Sequence, residues 1–174
     1  MFRMILSHQK VSLIIGWMRG CSWVLVVAIA TLTFLCSPAF AVDYNRESLI
    51  KADFSGQVLT DAEFTKANMR GSNLSHTDLR GVQMFGTNLE GANLEGANLS
   101  YATLDSARMV DANLKDAVLE GAFAASTKFN RANIEGADFT DVLMRKDMHD
   151  ILCAVATGTN PTTGRETRET LECD

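Results

Sequence analysis

Few side chains in this 174-residue chain have the types and spacing that chemistry requires. His76 and His149 lie far apart, and no group of His, Cys, Asp and Glu has the spacing of a metal site. Glycine is frequent, yet neither G-x-G-x-x-G nor a Walker sequence is present. No Ser or Thr has a His partner for nucleophilic catalysis. We therefore expect no catalytic residue, no metal, no cofactor and no enzymatic activity.

Two pairs of carboxylates and one pair of cysteines remain as candidates. Glu90 with Glu95, and Asp111 with Asp116, could bind a cation weakly, although a solvated polar face is the simpler interpretation. Cys153 and Cys173 could form a structural disulfide, a metal-binding pair or a redox-active dithiol. There is no C-x-x-C motif and only His149 lies nearby, so neither the metal pair nor the redox dithiol has independent support.

The first 41 residues have the form of an export signal. Three basic residues, Arg3, Lys10 and Arg19, precede an uncharged stretch, Cys21–Cys36. This stretch is shorter than the roughly 20 residues of a membrane-spanning helix. An A-x-A site at Ala39 and Ala41 predicts cleavage after Ala41, the alternative being an uncleaved anchor. Export to an oxidising compartment favours the disulfide, which would close a loop of about 20 residues and stabilise the protein by roughly 3 kcal/mol.

Cleavage would remove three basic residues and no acidic one. The mature chain would then hold 13 Lys and Arg against 21 Asp and Glu, a net charge of −8. An acidic protein of this kind is not expected to bind nucleic acid or anionic membranes in general. After cleavage no membrane span is expected.

The element that must position every side chain is a repeat of five residues. From Leu49 to Met144 every fifth residue is apolar, and the residue two places before it is mostly Ala. Such a period fits neither one face of a helix nor one face of a straight strand. It predicts a backbone that bends once per repeat. The expected interior includes Phe54, Phe64, Leu74, Leu89, Leu94, Leu99, Leu104, Leu114, Leu119, Phe129, Ile134 and Phe139.

The expected corner lies two residues after each apolar centre. Glycine, which tolerates unusual backbone angles, recurs there, for example at Gly91 and Gly96. Four bends would close a coil of about 20 residues, so 49–144 would make about five coils and a rod roughly 24 Å long. Outward Asn residues 20 positions apart, Asn73, Asn93 and Asn113, could then form a hydrogen-bonded ladder. His76 falls at a corner and should face solvent.

The run Thr87-Asn88-Leu89-Glu90-Gly91 and its continuation Ala92-Asn93-Leu94-Glu95-Gly96 resemble the pentapeptide-repeat family, whose motif is A(D/N)LXX. The resemblance implies an all-β fold, a right-handed quadrilateral β-helix. The tail from Ile151 to Cys173 resembles that of pentapeptide-repeat proteins from the thylakoid lumen of cyanobacteria and chloroplasts. This implies location in the thylakoid lumen or periplasm, and the bacterial-type signal favours a cyanobacterial chain.

Some repeats depart from the pattern. Glu47, Gln57 and Val82 occupy positions where a small residue is expected, so the first coil could be loose or partly open. At Ala124 the interior residue is small, while the large Phe123 comes one position early. Either the backbone bulges to bring Phe123 inside or Phe123 faces outward, and we expect the outward arrangement.

The expected domains are a signal peptide (1–41), a lead-in (42–48) in which Tyr44 covers the first coil, the β-helix (49–146) and a helical cap (147–174). Helical spacing predicts a helix over 148–157, capped by Asp147 and ended by Gly158, with His149 on its polar side. A capping box from Thr163 to Glu166 predicts a second helix over 165–171.

The leading functional hypothesis is a non-enzymatic, exported, rigid scaffold or protein-interaction module, monomeric rather than dimeric. Its protein partner would be a thylakoid membrane complex or a lumenal enzyme. One alternative is an acidic DNA mimic that regulates a DNA-binding enzyme such as gyrase, which the export signal opposes. Another is a lumenal factor regulated by the thiols of Cys153 and Cys173.

Overall fold

The architecture is a coil that returns to the same side every 20 residues. The computed structural model describes residues 42–174; the expected signal peptide, with Ala39 and Ala41, lies outside the described residues. Seventeen parallel β-bridges each join a residue to the one 20 positions later, from Asp43–Glu63 to Phe123–Leu143. Bridging residues recur at every fifth position, so each coil has four sides. Since each side contributes one bridging residue, no longer strand forms.

The four sides are named by their columns of bridging residues. Side A carries Ser48, Asn68, Asn88, Arg108 and Lys128; side B carries Asp53, Asn73, Asn93, Asn113 and Asn133; side C carries Val58, Asp78, Asn98, Val118 and Asp138; side D carries Asp43, Glu63, Gln83, Thr103, Phe123 and Leu143. In chain order the sides follow one another around the coil, so side A faces away from side C.

Each side ends in a hydrogen-bonded turn. In one example the N–H of Thr77 donates to the carbonyl of Leu74 at 3.3 Å, and His76 between them has a φ of 55°. A positive φ at the third residue alone is the geometry of a type II turn, which favours glycine. All the expected corner glycines have it: Gly56, Gly71, Gly81, Gly86, Gly91, Gly96, Gly121 and Gly136. The corner positions are therefore as the sequence predicts.

The interior consists of the rows that the period of five predicts. All twelve named interior side chains are buried, and most have no exposed surface. In the last coil Phe123 is 54% exposed and Ala124 is buried, so the outward arrangement is the one adopted. The rings of Phe129 and Phe139 meet edge to face in that coil, with centroids 6.0 Å apart. Since Ala124 belongs to the same coil, we expect these rings to fill the interior space that a larger residue at 124 would need.

The first coil begins earlier than the sequence predicts, and its backbone bridges are complete from Asp43 onward. Asp43 and Ser48 make the same bridges as later repeats, so residues 42–48 belong to the coil rather than to a separate lead-in. Tyr44 occupies the interior row, stacked on Phe64 with ring centroids 5.0 Å apart. Gln57 is exposed and does not interrupt the bridges, because the backbone alone makes them.

Two helices follow the last coil. Helix α1 spans Lys146–Cys153 and α2 spans Thr167–Thr170. The predicted bounds of 148–157 and 165–171 were wrong at both ends. Among residues 42–174, no helix has the length and apolar character needed to span a bilayer.

The predicted helix caps were also wrong. Arg145 rather than Asp147 is the N-cap of α1, and Gly158 lies beyond its end. The capping box does not form, since Glu166 is the N-cap of α2 and makes no side-chain cap bond. The Oγ1 of Thr163 instead lies 3.5 Å from the N–H of Arg165.

Candidate interaction surface at the C-terminal end

Asn160 fixes the tail to the last two coils. Its side chain is fully buried, and its Nδ2 donates to the backbone carbonyls of Asp116, Ala117 and Gly136 at 3.2, 3.1 and 2.8 Å. Its Oδ1 accepts the N–H groups of Thr162 and Thr163 at 2.9 and 3.0 Å. One amide thus joins two coils to the tail, and sequence reasoning did not identify it.

A second anchor is the ion-pair network around Arg165. Its Nη1 donates to Glu120 Oε2 at 2.9 Å, to Asp138 Oδ2 at 3.2 Å and to Thr140 Oγ1 at 2.7 Å. Asp138 is fully buried, and Thr140 also donates its N–H and Oγ1–H to it. Burial tends to raise the pKa of Asp138, but these hydrogen bonds and the charge of Arg165 hold it below the ordinary value.

This network predicts an acid-sensitive contribution to stability. A carboxyl group whose folded pKa is lowered stabilises the fold above its unfolded pKa of about 4, and this contribution is lost as the pH falls through the folded pKa. Asp138→Asn should therefore cost about 2 kcal/mol at neutral pH, and the difference from wild type should shrink below about pH 4. Urea unfolding of both proteins between neutral pH and about pH 3 measures this difference in the free energy of unfolding. A difference that stays constant with pH would contradict this assignment.

The Cys153–Cys173 disulfide forms as expected and joins α1 to the end of the chain. The Cα atoms are 5.6 Å apart and the closed segment spans 20 positions. His149 lies beside it, with Nε2 3.7 Å from Cys153 Sγ and 2.5 Å from the carbonyl oxygen of Leu171. The His149 ring thus packs inside the tail rather than on a free polar face.

Loss of this bond should destabilise the protein without unwinding the coils. Replacing both cysteines by Ser is expected to cost about 3 kcal/mol, the scale for a loop of this size. Circular dichroism should retain the spectrum of the coils, while hydrogen exchange should accelerate over residues 146–174. Wild type in dithiothreitol should match the double variant. Equal melting of oxidised and reduced protein would exclude a stabilising role.

An apolar surface lies beside the anchored tail. Phe123 and Leu143 are bridged neighbours on side D and are 54% and 57% exposed. Leu143 also lines a cleft between the last coil and the tail, whose walls combine the apolar Val142, Met144 and Leu171 with the polar or charged Asp141, His149, Thr170 and Glu172. We call Phe123, Leu143 and this cleft the side D patch. Exposed apolar side chains next to a cleft that also offers polar groups are typical of protein contacts.

The candidate cation pairs are occupied by other contacts. Glu90 pairs with Arg108 at 2.8 Å, and Asp111 pairs with Arg131 at 2.6 Å. Within residues 42–174 no three His, Cys, Asp or Glu side chains are grouped so that they could hold a metal ion. Glu90 and Asp111 therefore belong to surface ion pairs, and Glu95 accepts a hydrogen bond from Asn113 Nδ2 at 3.2 Å.

The polar columns on side B behave as the sequence predicts. Asn93 Nδ2 donates to Asn73 at 3.4 Å, Asn113 donates to Asn93 at 3.0 Å, and Asn133 extends the ladder. His76 is exposed at its corner. A Cβ added at Gly96 would lie 2.5 Å from its Nδ1, so His76 lies over the next corner. The column is a structural element that ties neighbouring coils together.

Comparison with known proteins gives consistent results. Residues 57–139 match a family model described as pentapeptide repeat region. The chain is 55% identical over 49 residues, 28% of its length, to thylakoid lumenal 15 kDa protein 1, chloroplastic, of Arabidopsis thaliana. It is 52% identical over 42 residues, 24% of its length, to thylakoid lumenal protein TL20.3, chloroplastic, of the same plant. The matched segments span 22% and 15% of those two relatives.

A crystal structure gives a longer match. It is that of a pentapeptide repeat protein from the Arabidopsis thaliana thylakoid lumen, with 39% identity and a TM-score of 0.55. The match covers 77% of the present chain and 86% of that protein. Both the repeat and much of the flanking sequence are therefore shared.

Proposed function

Since this chain belongs to the pentapeptide-repeat family, we propose that it is a non-enzymatic scaffold that binds a protein partner in the thylakoid lumen or periplasm. The coil is right-handed in this proposal, as is usual for the family. The partner is a membrane complex or a lumenal enzyme, and the protein acts as a rigid monomer. Its relatives in the thylakoid lumen support the location.

The side D patch is the observation that carries this proposal. Phe123 is bridged to both neighbouring coils and Leu143 is bridged to Phe123, and the tail is anchored to the same last coils, so the two side chains are presented with little loss of entropy on binding. Aromatic anchors next to a cleft are the usual centres of protein interfaces. The arrangement offers a binding surface without requiring a reaction.

Affinity capture with structure-based bait variants tests the proposal. Residues 42–174 lie within one compact unit that contains all the buried core residues, so this segment should fold alone. It would be immobilised and exposed to solubilised membranes and to the lumenal fraction of the source organism. Wild type should capture a defined partner that the Phe123→Ser/Leu143→Ser double variant loses by at least about tenfold.

The control removes equally exposed apolar side chains elsewhere. Val58 is 74% exposed at the N-terminal end of the rod and Val155 is 56% exposed after α1. The Val58→Ser/Val155→Ser variant should still capture the partner. A photo-crosslinking residue at position 123 should label the partner, and the same residue at position 58 should not. Capture of the same proteins by all baits, or labelling from neither position, would overturn the assignment of this surface.

A further inference from the structure

Charge is segregated around the rod, although the sequence alone looks mixed. The exposed positions of side A and the corners at its two edges carry seven basic residues, Arg46, Lys51, Lys66, Arg70, Arg108, Lys128 and Arg131, against the three acidic residues Glu47, Glu90 and Asp111. The same positions of side C, across the rod, carry Asp61, Asp78, Asp116, Glu120, Asp138 and Asp141 against Arg80. Arg80 pairs with Asp78 and Arg165 of the tail with Glu120 and Asp138, so Asp61, Asp116 and Asp141 are the carboxylates of side C without an ion pair in the described residues. An acidic protein therefore has one strongly basic side.

The basic side keeps uncompensated charge. Glu90 is shared by Arg70 and Arg108, at 3.9 and 2.8 Å, and Asp111 is paired with Arg131. Within the described residues, Arg46 and three lysines, Lys51, Lys66 and Lys128, make no ion pair with any carboxylate. Glu90 and Asp111 are thus already paired, so that within the described residues four unpaired cations stand against one unpaired carboxylate, the exposed Glu47.

We propose that side A is a peripheral docking surface for an anionic lipid membrane. Its bridging residues stand in a straight column one coil apart, which produces a regular side about 24 Å long. Lysines and arginines that lie close to a membrane surface are attracted to its anionic headgroups. The acidic side C would be repelled by the same surface, so the rod would bind in one orientation, with side D free to contact a protein.

Charge and side-chain type favour lipid over an acidic protein as the occupant. Protein interfaces are usually centred on buried aromatic or arginine anchors that fill pockets. Three of the four arginines on side A are held in ion pairs, and three of its four unpaired cations are lysines. Two of these, Lys51 and Lys66, stand at corners over Gly71 and Gly86 of the next coil. Ile50, 50% exposed, adds one aliphatic side chain. Mobile cations suit a fluid array of headgroups and need no shape match.

Vesicle sedimentation tests this inference with the 42–174 segment. Wild type should bind vesicles of about 30% phosphatidylglycerol in phosphatidylcholine at about 50 mM NaCl, at least tenfold more tightly than phosphatidylcholine alone, and lose binding at about 500 mM. The triple variant Lys51→Gln/Lys66→Gln/Lys128→Gln should bind about a hundredfold more weakly, since each cation contributes about fivefold. Circular dichroism should show that it stays folded.

A matched triple variant removes the same charge from other surfaces. Arg80→Gln/Lys115→Gln/Arg168→Gln, whose three residues lie away from side A, should bind within about threefold of wild type. Equal losses in both triples, or equal binding to uncharged vesicles, would overturn the proposal. So would failure to bind phosphatidylglycerol together with salt-sensitive binding to polyglutamate, which would identify an acidic protein surface as the ligand. Vesicle binding needs no protein partner, so this result is independent of the scaffold experiment.

Discussion

Replacing Asn160 by Ala is expected to lower the free energy of unfolding by roughly 3–4 kcal/mol and to release the tail from the last coil. The amide serves five backbone groups, and within residues 42–174 no backbone N–H donates to the carbonyls of Asp116 and Gly136. The variant would leave these carbonyls buried under the tail without a donor. Urea unfolding measures the loss, and hydrogen exchange at Gly136, whose N–H bonds to Thr157, reports the release.

Two further variants separate the donor from the acceptor role of Asn160. Asn160→Asp retains an acceptor for Thr162 and Thr163 but cannot donate to the three carbonyls, so it should destabilise at least as much as the Ala variant. Thr162→Ala keeps its backbone N–H at an exposed position and should change stability by less than about 0.5 kcal/mol. An Asn160→Ala protein within about 1 kcal/mol of wild type would show that the anchor is dispensable.

The coil itself could be predicted because its determinants are local. Each repeat contains its own turn, its own inward pair and its own outward residues, so one repeat such as Ala92–Gly96 specifies one side. Glycine at a corner such as Gly91 reports the positive φ directly, whatever the neighbouring coils contain. The period therefore predicts the register of 20 and the buried rows without knowledge of any distant contact.

The tail could be predicted only as an element, because its contacts are distant in sequence. Thr163 and Glu166 have capping-box spacing, yet Arg165 between them is drawn to Glu120 and Asp138 on side C. Asn160 reaches residues more than 20 positions away. Neither contact has a pattern in the local sequence that could have revealed it.

Charge segregation was missed for a related reason. Along the chain acidic and basic residues are interspersed. Arg108 and Lys128 become neighbours only because residues 20 positions apart are bridged. Corner pairs are revealed in the same way: Tyr101 lies over Gly121, where an added Cβ would meet the ring at 2.6 Å. Bulky corner residues followed 20 positions later by Gly are a pattern that the sequence contains and that the repeat argument did not use.

The last coil gives the other large expected effect. Phe129→Ala should cost about 4 kcal/mol, because it opens a cavity at a side chain with no exposed surface and removes the contact with Phe139. Ala124→Leu looks from the sequence like the repair of a defective repeat. We expect it instead to destabilise by about 2 kcal/mol, on the hypothesis that the two Phe rings of this coil fill the space of the missing side chain.

Combining the two substitutions tests whether Ala124 and Phe129 share one volume. The double variant should be about 1–2 kcal/mol more stable than the sum of the single losses predicts, since leucine at 124 would refill part of the space that Phe129→Ala opens. Phe123→Ala, at an exposed site next to Ala124, is the matched control and should cost less than about 1 kcal/mol. Strictly additive losses, or a stabilising Ala124→Leu variant, would mean that the last coil contains an unfilled cavity and that Ala124 is a defect. If the double variant is more stable than the sum of the single losses predicts, then a small residue at 124 is what allows two aromatic rings to occupy one coil.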